Sequence, residues 1–169
     1  MTSVQETIRL QAASLLEGER DAIANAANLS ALIFQTLPAI NWAGFYFARG
    51  DQLVLGPFQG KPACVRIAFG RGVCGTAWAQ RRTINVPDVH VFEGHIACDS
   101  ASIAEIVVPV AQPNGAVIGV LDVDSPVRGR FDDDDRELLE ALAALYISGS
   151  DIAFFRSAYT AETSPKAIS

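Results

Sequence analysis

The chain switches between two hydrophobic periods, and the switches divide it into elements. Val4, Ile8, Ala12, Leu15 and Leu16 recur at helical spacing and predict a helix over 4–16, broken at Gly18. Ile23, Ala26, Ala27, Leu29, Ile33, Phe34 and Leu37 predict a second over 21–37, which Pro38 stops. At Trp42 the period drops to two. The runs 42–47 and 52–58 predict strands joined by a hairpin through Ala48-Arg49-Gly50-Asp51. Alternation places Trp42, Gly44 and Tyr46 on one face and Ala43, Phe45 and Phe47 on the other.

A third strand, predicted over 64–69, leads into a glycine-rich turn, a short helix ending near Gln80 and a brief strand over 83–86. Residues 87–102 are polar and without period, which predicts a long loop; loops of that length in compact domains tend to be functional. Two long strands, 105–111 and 116–124, turn at Gln112-Pro113-Asn114-Gly115. The last helix opens at Phe131-Asp132-Asp133-Asp134-Asp135 and continues through Leu138, Leu139, Leu142 and Leu145 toward Phe155, leaving a small, polar tail over 159–169. This order predicts one α+β domain over 1–158. Its helices pack on one face of a central antiparallel sheet, and a ligand pocket opens on the other.

Composition narrows the partners. The 169 residues are half apolar and only 19% charged, with mean hydropathy +0.23, as in a globular chain able to bury its own core. A net charge of −6 and a pI near 4.8 argue against nucleic acid or an anionic membrane, and leave a small uncharged or zwitterionic ligand. The start lacks a basic stretch followed by an apolar one, and no apolar run is long enough to span a bilayer, so a cytoplasmic location is expected. There, three cysteines do not form a structural disulfide framework, and any disulfide is transient.

All three cysteines and both histidines lie between Cys64 and Asp124. Gly70, Gly72 and Gly75 spell a dinucleotide-binding pattern, but the helix after them is short and no βαβ crossover follows, which leaves a turn or a cradle for a small anion. Cys74, His90, His95 and Cys98 lack the spacing of metal ligands, so neither metal nor cofactor is expected. The four aspartates at 132–135 read as a helix cap with favourable dipole interactions.

Cys98 sits in the polar loop with His95 before it and Asp99 beside it. A thiol with a pKa near 8.5 is only about 3% ionised at pH 7, so a nucleophilic cysteine needs a shift of about 1–2 units from nearby positive charge or amide dipoles. Cys64, on an apolar run, also reads as a small buried hydrophobe. Asp122 and Asp124 share one strand face while Leu121 and Val123 take the other, and Glu105 begins the preceding strand. Three carboxylates in a partly dry cleft repel one another unless a cation sits among them or one keeps a proton. A ligand's ammonium would be the first, a general acid the second.

Three runs carry a resemblance: Gly70-Arg71-Gly72-Val73-Cys74-Gly75-Thr76, the span from Asp88 through Cys98 to Asp99, and Gly119-Val120-Leu121-Asp122-Val123-Asp124-Ser125. Together they resemble the free methionine-(R)-sulfoxide reductases of the GAF-domain superfamily, from Glu17-Gly18-Glu19-Arg20 to the last helix. The resemblance implies a single GAF-like catalytic domain that reduces free methionine (R)-sulfoxide to methionine, without cofactor. In that pattern Cys98 matches the catalytic cysteine, Cys64 the usual resolving cysteine and Cys74 a third that can enter disulfides. Trp42, Tyr46, Glu105, Asp122 and Asp124 match residues lining the substrate pocket, with Glu105 or Asp122 as the acid. Thioredoxin as reductant and a homodimer are further implications. The competing expectations are a ligand-sensing module that binds without turnover and a scaffold that only dimerises.

Overall fold

The structure, a computed structural model, describes residues 4–94 and 101–153. Helices α1 (Val4–Leu16) and α2 (Ala22–Thr36) form where the helical period predicts them. Asp21 caps α2, its carboxylate accepting from the amides of Ile23 and Ala24 at 2.9 and 2.8 Å, donors that no helix carbonyl reaches. Strands β1 (Trp42–Arg49) and β2 (Gln52–Gly60) make the hairpin, followed by β3 (Arg66–Ala68), α3 (Gly72–Gln80) and β4 (Ile84–Val86). A 3₁₀ turn at Val89–Val91 opens the long loop, and β5 (Ala104–Ala111), β6 (Val117–Ser125) and α4 (Asp133–Gly149) complete the chain. The strands form one antiparallel sheet in the order β3-β2-β1-β6-β5-β4.

One face of the sheet is the main core. Ala43, Phe45 and Phe47 of β1, Ile106 and Val108 of β5, and Leu121 and Val123 of β6 meet Leu29 and Ile33 of α2 and Leu138, Leu139, Leu142 and Tyr146 of α4. Tyr146 tilts over Phe45 with ring centroids 4.9 Å apart, and its hydroxyl donates to the Ala22 carbonyl at 3.1 Å, so this buried hydroxyl is satisfied. Truncating any of these leucines to alanine costs about 2–5 kcal/mol.

The opposite face is smaller and carries α3. Trp42, Tyr46, Leu53, Val107 and Val120 pack with Val73, Cys74 and Ala77 of that helix. The glycine pattern explains the close approach: Gly70 and Gly72 take positive φ (74° and 60°), and a Cβ on Gly75 would press on the Ala68 carbonyl. These glycines therefore serve the turn and the helix packing. The aspartate run is a cap, as expected: Asp132 and Asp135 form a reciprocal capping box, and Arg130 binds Asp135 at 2.6 Å.

Two boundaries differ from the periodicity. β3 begins only at Arg66, so Cys64 precedes the strand instead of lying on it. Helix α4 stops at Gly149, short of Phe155, because Ser150 turns extended and the Arg20 guanidinium takes the Ser148 and Ser150 carbonyls at 3.0 and 3.4 Å. Phe155 and the tail lie outside the described residues. The ends of the long loop are tied together: the Val89 amide donates to Ile103 at 2.7 Å, Ile103 to Ser125 at 2.8 Å, and Gly129 to Pro87 at 2.9 Å. No helix among the described residues is long and apolar enough to cross a membrane.

Candidate active site

Strand register assembles the carboxylates. On β6, Asp124 lies opposite Trp42 of β1 and Glu105 of β5, while Asp122 lies opposite Gly44 and Val107. Leu121 and Val123 enter the helix-side core, so both aspartates take the other face, as alternation predicts. The sheet thus gathers Trp42, Tyr46, Glu105, Asp122 and Asp124 on its pocket side. Gly44 makes this possible: a Cβ there would meet Phe58 and, at 2.6 Å, the Cη2 of Trp42. Trp42 instead stacks on Phe58 with centroids 5.3 Å apart.

Trp42, Tyr46, Lys61, Pro62, Ala63, Asp122 and Asp124 line a cavity with about 20 Å³ of free space. That is room for roughly one water. Its roof is the segment 61–65, pinned to β1 by two hydrogen bonds. The Trp42 indole donates to the Lys61 carbonyl at 3.1 Å, and the Tyr46 hydroxyl donates to the Cys64 carbonyl at 3.0 Å. Burial, reinforced by Asp122, holds the Tyr46 phenol far above its ordinary pKa, so the proton that makes the second bond stays in place. The two pocket aromatics therefore fix the backbone that carries Cys64. Sequence reasoning missed Lys61, Pro62 and Ala63, and their nearness in sequence to Cys64 was the available signal.

Helix α3 brings Cys74 to the carboxylates. Its Sγ lies 3.9 Å from Glu105 Oε1, and the donor atoms of Cys74, Glu105 and Asp122 all fall within 4.8 Å of one another. All three residues are buried. Asp122 Oδ1 is sealed from solvent without a hydrogen-bond partner. Burial first, and then the charge of Glu105, pushes the Asp122 carboxyl well above the usual carboxylate range. Burial, then Asp122 and Glu105, pushes the Cys74 thiol up as well. A thiol held protonated is a weak nucleophile, so this environment disfavours Cys74 as the attacking sulfur.

The three cysteines are consequently not equivalent. Cys74 is a free thiol, whereas Cys64 is engaged in a disulfide. Cys98, His95 and Asp99 lie outside the described residues. His90 is not drawn into the Cys74 cluster: its ring Nδ1 sits 2.9 Å from Asp88, which also pairs with Arg128. The bonds from His90, then Arg128, hold the Asp88 carboxyl below its ordinary value. This group braces the loop where it leaves β4.

Residues 1–146 match the GAF domain family. The chain belongs to that family. The GAF domain here is 57% identical over 131 residues to the free methionine-R-sulfoxide reductase of Escherichia coli, an alignment covering 78% of this chain and 79% of that one. It superposes with TM-score 0.83 on the free methionine-R-sulfoxide reductase of Neisseria meningitidis solved with its substrate, at 43% identity, covering 92% and 91% of the two chains. A putative GAF sensor protein of Burkholderia vietnamiensis superposes with TM-score 0.84 at 59% identity, covering 87% and 93%.

The chemistry open to the GAF site follows from its walls. A buried carboxyl with one idle oxygen beside a second carboxyl favours a cation entering between them or a proton transfer to an acceptor. Flat aromatic surfaces suit an apolar group, and the small free volume requires the roof to shift before anything larger than water enters.

Proposed function

We propose that this protein reduces free L-methionine (R)-sulfoxide to L-methionine. The observation that carries this reading is Asp122, a buried carboxyl with a partnerless oxygen in a cavity walled by Trp42 and Tyr46 and roofed by the Cys64 segment. Its relatives named for this activity supply the substrate class. A free amino acid brings an ammonium that Asp122, Asp124 and Glu105 can receive together. A methionine sulfoxide within a polypeptide has none to offer.

In the proposed sequence the Cys98 thiolate attacks the sulfoxide sulfur, and the oxygen is protonated by Glu105 or Asp122 as it transfers. Methionine leaves with two more electrons, and Cys98 is left as a sulfenic acid. The Cys64 thiol then attacks that sulfur, releasing water and forming a Cys64–Cys98 disulfide. Thioredoxin supplies two electrons and two protons to restore both thiols. The engaged state of Cys64 and the free, proton-retaining state of Cys74 favour Cys64 over Cys74 as the resolving partner. The protein works in the cytoplasm, as a homodimer, with residues 1–158 as the catalytic domain.

The test is stoichiometric. Fully reduced protein is mixed with each epimer of free methionine sulfoxide, and thiols and methionine are counted. The reading requires one methionine per pair of thiols lost, with the R epimer only, and requires that Cys98→Ser abolish it. Unchanged thiols with both epimers would instead favour the sensing module suggested by the Burkholderia relative.

A further inference from the structure

Segment 61–80 differs from the rest of this acidic chain: Lys61, Arg66 and Arg71 are its only charged residues, all basic, in a protein of net charge −6. All three are exposed. Two large apolar side chains stand among them, Val65 at 62% and Phe69 at 55% exposure. On β3 and its ends, Val65, Ile67 and Phe69 alternate onto one face, with Ile67 buried beneath the two exposed ones. Val65 is adjacent to Cys64, its carbonyl accepting from the Leu55 amide at 3.0 Å, so side-chain changes there leave the backbone bond intact. Among the described residues β3 is the terminal strand of the sheet, with no further strand on its outer edge. The nearest turn adds no net charge, since Arg49 offsets Asp51.

We infer that this patch is the landing surface for a protein dithiol of the thioredoxin class, whose reactive thiol lies in an apolar collar rimmed by carboxylates. The inference rests on the proposed function and deepens it. A thiolate must approach the Cys64 sulfur directly to displace its disulfide partner, so the reductant has to touch the surface around Cys64. The attack forms an intermolecular disulfide to Cys64 and frees the other protein cysteine as a thiolate. The reductant's second thiol then displaces Cys64, leaving the reductant oxidised and the enzyme reduced. Redox encounters of this kind use small contacts; two exposed apolar side chains at a sheet edge, with Lys61 and Arg71 near them in sequence and Arg66 on the other face of the same edge strand, match that size and give the encounter its charge complementarity.

The test compares two electron donors for the same enzyme, thioredoxin and dithiothreitol, with Phe69→Asp, Arg66→Glu and Arg71→Glu variants, all outside the cavity roof. The expected result is a rise of about tenfold or more in KM for thioredoxin, while dithiothreitol-driven turnover stays within about twofold. The wild-type KM for thioredoxin should also rise with salt, and Arg66→Glu should flatten that rise. An unchanged KM for thioredoxin in all three variants overturns the inference. So does an equal loss with both donors, which would place these residues in catalysis or folding. A changed sedimentation coefficient in the variants would assign the patch to self-association and overturn it too. If the wild type consumes no methionine sulfoxide with dithiothreitol, the proposed function fails, a separate outcome from the failure of the docking surface.

Discussion

Two clusters of acidic residues have opposite characters, although Asp122 of one and Asp132 of the other are only ten residues apart in sequence. At the start of α4, the Asp132 and Asp135 carboxylates are matched by backbone amides and by Arg130. On the pocket face, Glu105 and Asp122 crowd together with the Cys74 thiol, and one Asp122 oxygen finds nothing. The first cluster is complete without a ligand. In the second, the Cys74 thiol and the Val123 amide bond to Asp122, but among the described residues nothing donates to its Oδ1. Acidic residues are thus fully matched where helix amides and an arginine face them, and keep an open acceptor where a strand face and aromatics do.

The sharpest break of this comparison is Asp122→Asn. Removing the charge that would receive the ammonium should lower kcat/KM for free methionine sulfoxide by roughly 30- to 1,000-fold, about 2–4 kcal/mol, in steady-state assays. The same variant should melt at a higher temperature than the wild type at pH 8, since it removes a buried negative charge pressed by Glu105. Asp122→Asn losing both activity and stability would undo the contrast.

Gly44→Ala acts next, through the wall beside the carboxylates. The added methyl meets Phe58 and Trp42, so we expect a destabilisation of about 1–3 kcal/mol by denaturant titration, with a raised KM as the Trp42 ring moves. Asp132→Ala belongs to the other cluster. It should remove about 1 kcal/mol, or roughly 2–4 °C of melting temperature, and leave kcat/KM untouched.

The smallest expected effect concerns pH. The folded-state pKa of Asp122 lies above its unfolded value, so its contribution is fully present below the unfolded pKa and is lost as pH rises through the folded one. Asp88 runs the other way, its folded pKa being lowered, so its contribution is present above the unfolded value and is lost as pH falls through the folded one. Melting curves across pH should show the alkaline loss shrink in Asp122→Asn and the acid loss shrink in Asp88→Asn.

Much of this arrangement was legible in the residues. Alternation over 42–47 and 121–124 correctly separated core from pocket, because a strand has only two faces and the apolar one seeks the helices. The aspartate cap was legible because helix termini require local acceptors. What was not legible depends on contacts distant in sequence. The arrival of Cys74 between Glu105 and Asp122 follows from α3 crossing the pocket face, and the bond from Tyr46 to the Cys64 carbonyl follows from the roof folding back over β1. Neither leaves a periodic trace. The early end of α4 likewise depends on Arg20, more than a hundred residues upstream.

The central claim is that the idle Asp122 oxygen is reserved for a ligand's ammonium. Calorimetric titration of methionine and of N-acetylmethionine into the wild type and Asp122→Asn tests it without involving catalysis. The account predicts that the wild type prefers methionine by about tenfold or more, that its affinity for methionine rises with pH as Asp122 ionises, and that the variant loses this preference. A variant that still distinguishes the two ligands as the wild type does would contradict it.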